Sequence, residues 1–130
     1  MKKNERLQQL TNAYQRLRES LEFPLSEPLV LDAAIQRFEF TFELAWKTLK
    51  IILEDQGFLC HSPKSCLKEA FKMGWIHDEE NWIGLLKARN MTSHVYDEGM
   101  ARDIYKTIKD KHHLFQSLIL ALNAIQLSEL

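Results

Sequence analysis

The chain has 130 residues, with 17 basic and 18 acidic side chains, a formal net charge of −1, 45% apolar and 10% aromatic content. That length fits one domain over residues 1–130 with a core of its own, and four glycines and three prolines are too few for disorder, collagen or a turn-rich all-β design. The balanced charge excludes a global basic field that would draw the whole chain to nucleic acid or a membrane, so any polyanion must be gripped locally.

Leu7, Leu10, Tyr14, Leu17 and Leu21 recur at gaps of three and four with polar residues between them, which predicts an amphipathic first helix. Pro24 and Pro28 bracket a stiff connector that cannot continue it. The second segment carries the main core pattern: Leu31, Ile35, Phe38, Phe42, Ala45, Leu49 and Ile52 keep the helical period. The stretch from Phe38 to Leu44 also alternates as a strand would, but a strand as long as the whole pattern is outside normal lengths, so a helix from about 31 to 56 is expected. Phe40, Leu44 and Ile51 form a second stripe, so this helix is expected to be covered on two sides. Gly57 stops it.

Ser62 and Pro63 open a short third helix as cap and first helical residue, with Leu67, Ala70 and Phe71 expected to face inward and Gly74 closing it. Asp78, Glu79 and Glu80 place acids at the start of a fourth helix carrying Trp82, Leu85, Leu86 and Arg89. A last helix is expected from Asp97 through Ile104, Ile108, Phe115, Leu118 and Leu122 to Ile125. The expected fold is all-α: an antiparallel up-and-down four-helix bundle with one extra short helix.

No stretch approaches the roughly 18 apolar residues of a membrane span, and the charged N-terminus lacks the apolar core of a signal peptide, so a cytoplasmic protein is expected. In a reducing cytosol Cys60 and Cys66 are expected as half-buried free thiols rather than a disulfide. Their spacing with His61 and His77 does not suit zinc. Trp46, Trp75 and Trp82 are expected as core or interface anchors. Lys106, Lys109, Lys111, His112 and His113 form a basic cluster that reads as a solvated helix face.

Chemistry concentrates between the fourth and last helices, where Arg89, Asn90, His94 and Tyr96 lie within eight positions. Five residues separate Arg89 from His94, and on a regular helix that is about 140° of net rotation, so the two do not share a face of one unbroken helix. Either the helix ends between Asn90 and Ser93, or two copies of the segment meet across a symmetry axis. Arg is a permanent cationic fork for phosphate, and His moves protons near neutral pH; together they suit a phosphodiester next to a ribose 2′-hydroxyl without a metal. The alternative on residue types alone is that Arg89 pairs with Asp97 or Glu98 at a helix end and His94 is a plain surface residue. Glu39, Glu43 and Lys47 share a helix face. Glu43 and Lys47 make a favourable pair, and the two glutamates read as a solvated face, with orientation of Arg89 as the other option.

Arg89-Asn90-x-x-x-His94-x-Tyr96 resembles the R-x-x-x-x-H-x-Y signature of the HEPN superfamily. The aromatic stretch from Ala34 to Lys47, containing Phe38, Phe40, Phe42 and Trp46, is similar to the second helix of its nucleotidyltransferase substrate-binding branch. The resemblance runs from Leu7 to about Ile125. It implies a homodimeric helical bundle whose Arg89 and His94 line a cleft between two subunits. There His94 moves the 2′-hydroxyl proton, Arg89 holds the scissile phosphate and Asn90 supports the site. It further implies a metal-independent ribonuclease toxin that needs no cofactor, acts on RNA and is silenced by a minimal nucleotidyltransferase partner that modifies Tyr96 with AMP. A non-catalytic nucleotide- or substrate-binding subunit of that partner is the alternative.

Overall fold

The computed structural model describes residues 2–128. Its helices are α1 (Lys2–Leu21), α2 (Pro28–Asp55), α3 (Pro63–Lys72), α4 (Glu79–Met91), α5 (Glu98–Lys111) and α6 (His113–Ser128), with a 3-10 turn at Thr92–His94 between α4 and α5. Among the described residues there is no strand, and no helix is long and apolar enough to cross a membrane.

The ends are set as the local residues require. Pro28 opens α2, and Gly57 leaves it at φ 90°, in the left-handed region that glycine enters freely. Ser62 caps α3 by accepting from the Ser65 amide, Asp78 caps α4 through Asn81, and Asp97 caps α5 through Met100.

Cross-links between helices show their direction. Lys3 on α1 meets Asp55 at the far end of α2, and Arg37 donates to the main-chain oxygen of Arg16, so α1 and α2 are antiparallel. Arg89 meets Glu43 and Thr92 meets Glu39, so α4 also runs against α2. Lys109 caps the end of α1 by donating to the Leu21 oxygen, and His112 meets Tyr14 further back along α1.

The buried residues form one continuous cluster. Phe115 sits at its centre, fully buried, with ring centroids 5.6 Å from Trp82, 5.8 Å from Tyr14, 6.2 Å from Phe38 and 6.5 Å from Phe42. Four helices therefore meet on one ring.

Three expectations need correction. Cys60 and Cys66 are not half-buried thiols: they are joined in a disulfide with Cα atoms 5.2 Å apart, and both are fully buried. The turn after Gly57 carries Cys60 back over the first turn of α3, which brings the two together. The second difference is at Phe71, which is 44% exposed. The buried face of α3 is centred on Cys66, Leu67 and Ala70, which leaves Phe71 at its edge. Third, the last helix is two helices, parted at His112. The apolar period passes through the break from Ile108 to Phe115 and neither glycine nor proline marks it. His112 instead leaves the helical pattern at a place where its Nδ1 lies 3.0 Å from the Tyr14 hydroxyl.

Candidate functional site

The end of α4 carries Arg89 to the wall of an open groove of about 920 Å³ between α1, α2 and α4. The Arg89 guanidinium donates from Nη2 to Glu43 Oε1 and from Nη1 to Asn90 Oδ1, the latter at 3.2 Å. Glu43 is held in turn. Its second oxygen accepts from the Trp46 indole at 3.2 Å and lies 3.8 Å from the Lys47 ammonium. Both members of the Arg89–Glu43 pair are about a quarter to a third exposed (30% and 27%), so the guanidinium is fixed yet reachable from the groove.

Glu43 is therefore Arg89's partner, and Asp97 and Glu98 are not. Asp97 is engaged as the α5 cap, and Glu98 lies 3.6 Å from Arg102. The two glutamates are also not a plain solvated face, since Glu39 accepts from the Thr92 hydroxyl. The antiparallel run of α2 and α4 accounts for both contacts: one turn back along α2 matches one turn forward along α4. A fixed carboxylate behind the guanidinium orients it and leaves its remaining donors for an anion.

The helix break falls where the residue types placed it. α4 ends at Met91, and the 3-10 turn follows with Thr92 Oγ1 donating to the Arg89 oxygen at 2.7 Å. Val95 then adopts an extended conformation and packs against the core. His94, the last residue of the 3-10 turn, and Tyr96, just beyond Val95, are both exposed. Tyr96 is 82% exposed. Within one chain the groove contains Arg89 and Asn90, but neither His94 nor Tyr96 lines it.

Phe40 departs from its expected place. Leu44 is buried and Ile51 half-buried, but Phe40 is 61% exposed because it borders the open groove. Arg16 and Arg37 share that groove and were not marked by any local motif. Among the tryptophans, Trp75 and Trp82 are core residues and Trp46 is the half-buried support of Glu43. The basic cluster is only partly a solvated face, since Lys109 caps α1, His112 bonds Tyr14, and Lys111 crosses over Gly84.

Residues 5–124 match the family described as nucleotidyltransferase substrate binding protein like. The chain belongs to that family. A second protein of this architecture is a crystal structure from Thermus thermophilus, 36% identical, with a TM-score of 0.77 over 85% of this chain and 95% of that one. Another is a Haemophilus influenzae structure that reveals the fold of a substrate-binding domain of a nucleotidyltransferase. It is 28% identical, with a TM-score of 0.79 over 90% of this chain and 98% of the other. A curated Haemophilus influenzae relative named probable ribonuclease HepT is 35% identical over 86 residues, 62% of this chain. The match spans 59% of that relative's length. These likenesses put this member of the nucleotidyltransferase substrate-binding-protein-like family in the HepT-like branch of the HEPN superfamily.

Proposed function

We propose that the chain is a HEPN-type endoribonuclease with its active centre between two copies. The 2′-oxygen of a ribose bonds to the adjacent phosphorus as the bond from phosphorus to the 5′-oxygen breaks, giving a cyclic phosphate and a free 5′-hydroxyl. His94 of one copy takes the 2′ proton; a protonated His94 of the second copy supplies the proton with which the 5′-oxygen leaves. Arg89 binds the scissile phosphate and its developing charge, and Asn90, bonded to Arg89 Nη1, supports it. The observation that carries this reading is the Arg89 guanidinium fixed at a groove wall by Glu43, in a chain similar to a probable ribonuclease. A homodimer is part of the reading because one chain by itself leaves His94 outside the groove. Light scattering that finds a monomer at working concentration removes that part.

In this reading the ribonuclease is a toxin, and a minimal nucleotidyltransferase is its antitoxin. The exposed hydroxyl of Tyr96, two residues from His94, suits modification with AMP, which adds bulk and negative charge where RNA approaches. Intact mass after incubation with that partner and ATP tests it: no gain of nucleotide mass refutes the modification.

The second reading, a non-catalytic binding subunit of the nucleotidyltransferase, is favoured by the size of the groove and by the likeness to a substrate-binding domain. Cleavage of labelled RNA by the purified chain and by His94→Ala separates the two. The ribonuclease reading expects a loss on the order of 10²- to 10⁴-fold in His94→Ala. Equal cleavage by both proteins, or none by either, leaves the binding subunit.

A further inference from the structure

The groove continues past Arg89 toward α1. Arg16 on α1 and Arg37 on α2 line that end, and neither lies within ion-pair distance of a carboxylate among the described residues. Arg37 is nonetheless oriented, because its Nη1 donates to the Arg16 main-chain oxygen at 2.8 Å. A carbonyl satisfies one donor without neutralising the guanidinium, so the charge stays available. Of the groove's two acids, Glu43 is paired with Arg89, while Glu39, one turn nearer Arg37, accepts from the neutral Thr92 hydroxyl and keeps its charge. The three arginines of the lining, Arg16, Arg37 and Arg89, still outnumber its two acids in a chain whose formal net charge is −1.

Phe40 lies between the two ends. Arg37, Phe40 and Glu43 follow one another at intervals of three along α2, so Arg37 and the Arg89 partner Glu43 are separated by about 9 Å along the helix axis, with Phe40 midway. Its ring is 61% exposed on the groove wall. Two uncompensated cations, an open aromatic face and a fixed guanidinium in sequence match the components of a single-strand binding groove: backbone charge on the arginines and a base on the ring.

We infer that Arg16 and Arg37 form a second phosphate position, and that Phe40 stacks the base lying between it and the phosphate at Arg89. The ligand class is single-stranded RNA with a phosphate on each side of one nucleotide. A duplex keeps its bases stacked on each other and does not offer one to Phe40. Arg16 and Arg37 touch a phosphate that does not react, so they are positioning residues that act on substrate affinity rather than on the chemical step. The inference deepens the ribonuclease reading and takes from it the phosphate at Arg89.

The test is fluorescence anisotropy with a labelled single-stranded oligoribonucleotide and full-length His94→Ala protein, across a salt series. Adding Arg16→Gln and Arg37→Gln together is expected to weaken binding about tenfold at low salt and to flatten the salt slope by about 0.7 for each phosphate no longer neutralised. Phe40→Ala weakens it about tenfold or more with the slope intact. Arg37→Lys keeps the slope, and Lys68→Gln, an exposed cation on α3, changes neither quantity. With active His94, the two arginine changes raise KM and leave kcat within about twofold.

Unchanged RNA affinity and cleavage in the arginine variants overturns the inference and leaves the ribonuclease reading standing. Loss of affinity with the flattened slope, in a chain that cleaves nothing, supports the second phosphate position and refutes the ribonuclease. An altered oligomeric state with RNA affinity unchanged assigns the groove to a second copy and overturns the inference. So does absence of RNA binding by the His94→Ala protein.

Discussion

Replacing Glu43 by glutamine keeps the shape of the side chain and removes its charge, which isolates what the carboxylate does for Arg89. Three donors converge on that carboxylate: the Arg89 guanidinium, the Trp46 indole and the Lys47 ammonium. At an effective dielectric constant near 20, two charges about 4 Å apart attract by about 4 kcal/mol. With both partners about a quarter to a third exposed, water and the cost of desolvation return most of that, leaving a net contribution of about 1 kcal/mol. An amide has one acceptor oxygen, so the glutamine serves either Arg89 or Trp46 and points its NH₂ at the other donor. Glu43→Gln is therefore expected to lower Tm by about 3 to 4 °C. In the proposed ribonuclease, release of the guanidinium also misplaces the phosphate ligand, which is expected to cost cleavage on the order of 10- to 100-fold.

Thermal melts and single-turnover cleavage of a fluorogenic RNA check the two parts separately. The cycle with Arg89→Gln sharpens them: once the guanidinium is gone, Glu43→Gln has little further effect on cleavage. A loss of stability with cleavage within about twofold of wild type refutes the positioning role and makes Glu43 a structural strut. No effect on either makes the pair a solvated contact.

Two further outcomes follow from other parts of the fold. The disulfide closes a loop of six residues in sequence separation, so Cys60→Ala with Cys66→Ala is expected to lower stability by about 2 kcal/mol, read by urea denaturation against the oxidised protein. Burial, with smaller contributions from His113, Lys109 and Arg18, holds His112 below its ordinary value of 6.5. The folded state thus takes up the proton less readily than the unfolded chain, so stability is full above pH 6.5 and falls as the pH drops below it. His112→Gln, which keeps a partner for the raised-pKa Tyr14 hydroxyl, should flatten that fall in a pH series of denaturation midpoints; an unchanged slope refutes the assignment.

Much of the fold is legible in the sequence because burial writes itself at the helical period. Leu31 to Ile52, the Ser62-Pro63 start and Gly57 needed no tertiary information. The break at His112 is invisible for the same reason: Ile108 and Phe115 stay in phase across it, and the Tyr14 hydroxyl that His112 meets there lies far away in the sequence, on α1. Phe71 misleads because its place at the helical period does not tell that the buried face of α3 centres on Cys66, Leu67 and Ala70. At the site, Arg89 and Asn90 stand out as residue types at a helix end. Arg16 and Arg37 do not, because their relation to Arg89 depends on which turns of α1, α2 and α4 lie side by side. Glu39 and Glu43 stood between a solvated face and a support for Arg89, and only the packing of α4 against α2 decides that Glu43 is the support.

The net charge of −1 bears on how such a groove works. A protein with a strong positive field gathers RNA from a distance and holds it anywhere, with a steep salt dependence. Here Arg16 and Arg37 sit at one end of one groove that also holds Glu39, with Glu43 turned onto Arg89. Little long-range steering is available, so if the groove holds RNA as proposed, affinity depends on simultaneous contacts: phosphate, base, phosphate. A ligand short of any one of them then binds disproportionately weakly, and a mononucleotide offers only some of them. On that proposal, selectivity for a strand over a nucleotide arises from the near-neutral charge itself, because no surplus of attraction exists to compensate for a missing contact.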